Sequence, residues 1–390
     1  MYEKGARWTY GSKFLLALRG NAVDTVAEML KDEVVDCNDE FYIQGVHMPA
    51  IALAIEGGSV EMVKVLHDSG SNLNQIIDSE RYTPLHVAVK NGNVDMVKFL
   101  LQSRAKINAV TKDGQTPLCM SCWVNNTDII TLLVDNKADV ELATSSKVTP
   151  LMNCCLYRNL HAVEYLLRHG ANVNAIDHTG NNALFYASDP LLDKIDMQIV
   201  DILIMAGVNI NHVNDLGESV LSASIYSHGA LLRRVSTSHH LLELLESLLK
   251  NGFDIERHGF CALFRASLFS CVDAIDVLIR SGCNLSPSSG FMFQSVLYNL
   301  ARYRFFPQIE LMFMAGLDIK KEPWVSERNL NFNKLPPEVK NLLMNKFSEV
   351  PFLQSLCRRS IRKKLGYRVN EKIALWKNCP KVLKKYLLYH

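Results

Sequence analysis

Residues 83–88 read Thr-Pro-Leu-His-Val-Ala, and they lead through Gly92 into Val94, Met96, Val97, Phe99, Leu100 and Leu101. Thr83 is a good helix N-cap, and Pro84 at the first helical position loses nothing by lacking an N–H. Gly92 can end this short helix with a positive φ. Apolar residues at i, i+3 and i+4 spacing predict a second helix behind it. Asn108 and Asp113-Gly114 supply turn residues leading onward.

The stretch recurs. Thr116-Pro117-Leu118-Cys119 lies 33 residues on, Thr149-Pro150-Leu151-Met152 another 33, and the echo Asn182-Ala183-Leu184-Phe185 33 more. Backward by 34, Pro49-Ala50-Ile51-Ala52 leads to Gly58 and Val60-Glu61-Met62-Val63-Lys64, which matches Val94-Asp95-Met96-Val97-Lys98. Degenerate copies start near Ser219, Cys261 and Gln294, and a half-match, Leu18 to Leu30, precedes the first. With a period of about 33 and a Thr-Pro-Leu-His signature, the pattern resembles the ankyrin repeat. The fold expected is all-α: a solenoid of eight or nine helix pairs with β-hairpin-like turns over residues 14–320. Two intervals are long, 37 from Asn182 to Ser219 and 42 from Ser219 to Cys261. The extra residues are expected between the two helices of those units, around Asp189–Asp196 and Ser227–His240, either as binding-face loops or as tolerated extensions.

Composition bounds the rest. The chain has 390 residues, 48% hydrophobic and 21% charged, which excludes a mostly disordered or collagen-like chain. The net charge of +2 hides a split: Arg358 to His390 carries 11 Lys/Arg and one acid, a net +10, leaving −8 for the rest. Met1–Gly20 holds only the short apolar run Phe14–Leu18, and no stretch reaches the ~18 apolar residues of a membrane span. Ten cysteines are too sparse for a disulfide scaffold. The expectation is a cytoplasmic protein, with a nuclear fraction left open.

Nothing in the chain points to catalysis. GxGxxG, Walker, HExxH and GxSxG motifs are missing from the sequence. Cys119 and Cys122 form a lone CxxC with no second pair at zinc-finger spacing; with Cys154 and Cys155 they read as small core residues. His239-His240 reads as solvated loop. No cofactor, no metal and no nucleic-acid or membrane partner is expected.

Past the repeats, Leu335-Pro336-Pro337-Glu338 resets the chain, and Val339–Phe347 can be helical behind the prolines, so residues 321–347 read as a linker and connecting helix. Residues 348–390 form a separate module. Leu353, Cys357, Ile361 and Leu365 make one stripe on a helix ended by Gly366; Leu356 broadens it, and Arg358, Arg359, Arg362 and Lys363 fill the other faces. A shorter helix is expected after Pro380, with Val382, Leu383, Tyr386 and Leu387 on its apolar side. The Leu-x-x-x-Cys-x-x-x-Ile run, followed by Pro380-Lys381-Val382-Leu383, resembles the SOCS box, and the whole chain resembles the ankyrin repeat and SOCS box family.

That resemblance implies an adaptor. It makes Leu353, Leu356, Cys357 and Ile361 the anchors for elongin C, itself bound to elongin B. Pro380 and Leu383 become the positions facing a cullin of the type-five class, with its RING protein and a ubiquitin-charged E2. Two departures stand out: Phe352 occupies a position usually Ser, Thr or Pro, and Leu375-Trp376-Lys377-Asn378-Cys379-Pro380 keeps one proline of the cullin-side motif. The alternative is an ankyrin scaffold whose last helices only cap the stack.

A target protein would dock on the array. The two positions before the terminating Gly are Lys90-Asn91 in one unit, but Trp123-Val124 and Leu156-Tyr157 in the next two. Four apolar side chains side by side read either as a docking patch or as rings folded down between repeats as extra core.

Overall fold

The computed structural model describes residues 3–33, 35–43, 46–189, 195–231, 238–285, 295–317 and 330–348, with Ile319, Glu322 and Val325. The side chains of residues 3–9, 46, 227–231, 238, 239, 330, 331, 347 and 348 are not part of that description. The chain divides into two units, Met1–His178 and Thr179–His390.

The first unit opens with α1 (Glu3–Arg19) and α2 (Val23–Lys31), then a hairpin of β1 (Glu40–Ile43) and β2 (Val46–Pro49). The strands are antiparallel, with Glu40 opposite Pro49 and Ile43 opposite Val46. Four helix pairs follow: α3 (Ala50–Glu56) with α4 (Val60–Asp68), α5 (Pro84–Lys90) with α6 (Val94–Gln102), α7 (Pro117–Val124) with α8 (Thr127–Asp135), and α9 (Pro150–Leu156) with α10 (Leu160–Arg168). First helices pack on first helices, α1 through α3, α5 and α7 to α9, and second helices on second, giving two layers.

Local chemistry sets each pair. Thr116 Oγ1 accepts from Cys119 N–H at 3.1 Å and Thr149 Oγ1 from Met152 N–H at 3.3 Å, with proline next in both units. The second helices carry their own caps: Asn93, Asn126 and Asn159 accept from Met96, Ile129 and Ala162 N–H at 3.0, 3.1 and 3.0 Å. Each such cap stabilises its helix by about 1 kcal/mol. The link between paired helices passes through a left-handed residue, Gly58, Gly92, Asn125 or Arg158. Behind it the i, i+1, i+4 residues of the second helices are buried, as in Met96, Val97 and Leu100 or Ile129, Ile130 and Leu133.

The second unit repeats the scheme with α11 (Ala183–Ala187) and α12 (Met197–Met205), α13 (Val220–Leu231) and α14 (Ser238–Lys250), α15 (Ile255–Leu268) and α16 (Val272–Arg280), and α17 (Val296–Arg302) and α18 (Phe306–Met314). The short α19 (Leu330–Asn333) and α20 (Pro337–Ser348) close it, burying Phe332, Leu335, Val339 and Leu343. Nine helix pairs thus precede α19 among the described residues.

Three expectations are corrected here. The 227–240 extension is not all loop, since α13 continues to Leu231 and α14 already starts at Ser238. The repeat expected to start near Cys261 begins its helix at Ile255. Asp254 caps it by accepting from Arg257 N–H at 3.0 Å, and Gly259 lets it lie close, since a Cβ there would sit 2.8 Å from Cys283 Sγ. His239-His240, read as loop, falls in the first turn of α14, where His240 Nδ1 lies 3.1 Å from Glu243 Oε2. Gln294, residues 190–194 and residues 349–390 lie outside the described residues. Among the described residues no helix is long and apolar enough to cross a membrane.

Candidate functional site

The signature segment does two jobs. Inside its unit, His86 Nδ1 accepts the Thr83 N–H at 3.2 Å, with the Thr83 hydroxyl 2.9 Å away. Because Nδ1 accepts, the ring proton sits on Nε2, which donates to the Gln115 carbonyl of the next unit at 3.1 Å. Burial holds the imidazole below its ordinary pKa, partly offset by the carbonyls of Gln115 and Ala109 and by Asp78. The same slot accepts other chemistry. Cys119 Sγ donates to the Leu142 carbonyl at 3.3 Å, and Met152 Sδ accepts the Thr149 N–H at 3.4 Å.

Turn tips join neighbouring units edge to edge. In the first unit Lys112 N–H donates to Glu80 O at 2.8 Å, Ser145 N–H to Asp113 O at 2.8 Å and His178 N–H to Ser146 O at 3.0 Å. Asn108, read as a turn residue, reaches across as well: its Oδ1 accepts the Asp139 N–H at 3.1 Å. These bonds fix the spacing at which side chains of successive units are presented.

On this frame α7 and α9 are neighbours; Trp123 and Val124 end α7, Leu156 ends α9 and Tyr157 caps it, so the four predicted docking residues lie at adjacent helix ends. Trp123 is 47% exposed. Val124, Leu156 and Tyr157 are half-buried, and partial burial raises the Tyr157 phenol pKa. Turn residues add to the exposed apolar surface of this unit: Ile76, Val110 and Ile176 are exposed, each just before a buried Ile77, Thr111 or Asp177. The sequence reading missed them. The available signal was recurrence of an apolar residue at about the repeat period one place before a buried turn residue.

The second unit bears a row of the same kind. Tyr226 is 50% and Tyr303 43% exposed; Leu268 is exposed and Phe269 half-buried. The rings of Tyr226 and Phe269 meet at 5.9 Å, nearly edge-on. Arg265 lies 4.5 Å from the centre of the Tyr226 ring, pairs with Glu218 and donates from Nη1 to the Ser222 carbonyl at 3.2 Å. Leu268 and Phe269 stand at the end of α15 and Tyr303 at the end of α17, as Trp123 does on α7, while Tyr226 lies midway along α13. They escaped notice because their repeats lack the Thr-Pro-Leu signature that places the end of the first helix in the earlier repeats.

The cysteines sit as core. Cys119, Cys122, Cys154 and Cys155 are buried free thiols. Burial pushes Cys119 up to about 11 and raises Cys122 and Cys155, the Cys122 thiol also through its hydrogen bond with the Cys154 thiol. Among the described residues no cluster of His, Cys, Asp and Glu could hold a metal ion. The elongin-side residues Leu353, Leu356, Cys357 and Ile361 and the cullin-side Pro380 and Leu383 lie outside the described residues.

A family model described as ankyrin repeats matches the chain in three overlapping copies, at residues 14–111, 54–144 and 118–214, so that just over half of the sequence is covered. None of these matches reaches residues 348–390. A comparison with curated proteins finds no match. Signature, helix pairs, capped turns and family match agree: the chain belongs to the ankyrin-repeat family, a protein-interaction scaffold.

Proposed function

We propose that this chain is a non-catalytic adaptor that recruits a target protein to an elongin–cullin ubiquitin ligase for ubiquitination. The observation that carries the reading is the order of its parts. An array with exposed aromatic residues at the ends of its first helices is followed by a Leu353/Leu356/Cys357/Ile361 stripe and the Pro380–Leu383 stretch. The burial of Phe332, Leu335, Val339 and Leu343 supports it further, because the cap that repeat arrays need is then supplied before residue 348. Thiols held protonated by burial fit a chain that recruits rather than reacts.

Four buried stripe side chains at about 1.5–3 kcal/mol each give roughly 6–12 kcal/mol gross. Association costs on the order of 4–15 kcal/mol, so tight binding needs contacts beyond the stripe. The test is co-expression of the chain with elongins B and C. Wild type is expected to co-purify with both, and a Leu353→Asp/Cys357→Asp variant to lose them; equal recovery overturns the reading and leaves the ankyrin scaffold alone.

A further inference from the structure

A cavity of about 240 Å³ opens in the second unit between α17 and the start of α20, lined by Tyr298, Arg302, Lys334, Leu335 and Pro336. Leu335 is buried, Tyr298 and Pro336 are half-buried, and Arg302 and Lys334 are exposed. Drug-sized ligands need about 300–1,000 Å³, so this space suits one side chain rather than a nucleotide. Among the described residues no carboxylate lines it and neither cation is paired with one. Arg302 also lies 5.7 Å from the centre of the exposed Tyr303 ring, so the cavity continues the aromatic row. Two like charges on one small opening repel, and an anion between them relieves that repulsion. A guanidinium offers a planar fork to a carboxylate or phosphate, while an ammonium adds a point charge.

We infer that this cavity receives one acidic side chain from an extended peptide of the recruited protein. Arg302 grips the anionic group, Lys334 neutralises it, and Leu335, Pro336 and the Tyr298 ring cover the methylenes behind it. The inference rests on the recruiting role proposed above. A glutamate carboxylate and a phosphoserine phosphate share the chemistry, and the test separates them.

The probes are three fluorescein-labelled peptide pools, randomised among Ala, Gly, Leu and Tyr around a fixed central Glu, phosphoserine or Gln. Their binding to the full chain co-expressed with elongins B and C is read by fluorescence anisotropy. The Glu or the phosphoserine pool is expected to bind about tenfold tighter than the Gln pool, and the tighter of the two names the source. Arg302→Glu/Lys334→Glu is expected to abolish that preference while leaving the Gln pool unchanged. Equal binding of all three pools to wild type overturns the inference, as does a preference that survives in the double variant. The wild-type comparison stands even if the variant folds poorly. Elongin co-purification is scored on the same preparation. Elongins retained without an acidic preference count against the cavity alone. An acidic preference without elongins supports the cavity and counts against the ligase reading.

Discussion

His86 and Gln115 are joined by a 3.1 Å hydrogen bond from the imidazole to a backbone carbonyl of the next repeat. The other ring nitrogen, Nδ1, accepts the Thr83 N–H at 3.2 Å, which requires a neutral ring, and burial depresses the ring's pKa below its ordinary 6.5. The unfolded chain therefore takes up this proton before the folded one does. The stability involved is fully present above about pH 6.5 and is lost as pH falls toward the depressed folded value. Urea unfolding at about pH 7.5 and about pH 5.5 checks this, with wild type expected to weaken at the lower pH. His86→Leu strands the Thr83 N–H and leaves the Gln115 carbonyl only the Thr111 N–H, so a loss of about 1–3 kcal/mol is expected at the higher pH. Its stability should change less on acidification; a change as large as wild type's would show that His86 is not the group responsible.

Gly114 and Gly217 share a φ of +74° but differ in surroundings. A Cβ on Gly114 would meet Ser145 N at 2.7 Å, beside the bond that Ser145 donates to Asp113, whereas nothing lies within 4 Å of Gly217. Gly217→Ala is expected to cost about 1 kcal/mol, the conformational part alone. Gly114→Ala adds an overpacking penalty of about 1–3 kcal/mol because the clash is with backbone. The urea midpoints of the two variants decide the matter: equal losses mean that edge-to-edge docking of the turns contributes nothing.

These comparisons show what could be read in advance. Threonine, proline and the apolar spacing of residues 83–101 were sufficient for helix pairs, because caps and amphipathic faces act over a few residues. The start of α15 was hidden because Asp254 caps a helix with no Thr-Pro signature, and the reason for Gly259 lies 24 residues away at Cys283. The exposed residues of the second unit were hidden because their repeats lack the Thr-Pro-Leu signature that located Trp123 and Tyr157. Asn125, Arg158, Ser270 and Arg304 all take left-handed backbone without being glycine, a strain of about 1–3 kcal/mol that the surrounding turn over-determines. The His86 slot likewise tolerates Cys119 and Met152, since what it requires is a group that fits and satisfies nearby backbone, not an imidazole.

The buried thiols carry a prediction of their own. With Cys119 raised to about 11, only about a thousandth of it is thiolate at about pH 8, and burial further denies reagent access. Cys122, Cys155 and Cys283 are raised by the same cause. Native labelling with iodoacetamide, read by peptide mass spectrometry, should modify these four more slowly than the half-buried Cys261 and Cys271. Rapid native modification of Cys119 would contradict a core role and reopen thiol chemistry at the lone CxxC.

Trp123 offers the sharpest division between packing and recognition, because Met120 on the same helix is fully buried while Trp123 stands 47% exposed. Met120→Ala should cost about 2–5 kcal/mol of stability through the cavity it leaves. Trp123→Ala should stay near ±0.5 kcal/mol, as surface substitutions do. Combined with Tyr157→Ala, it should weaken target binding by more than about 1 kcal/mol if the row carries a hot spot. Thermal melting gives the first comparison; the second comes from crosslinking mass spectrometry, comparing proteins captured by wild type and by the double variant. A Trp123→Ala loss as large as that of Met120→Ala would place the ring in the core, and identical captured sets would move target recognition off this face of the array.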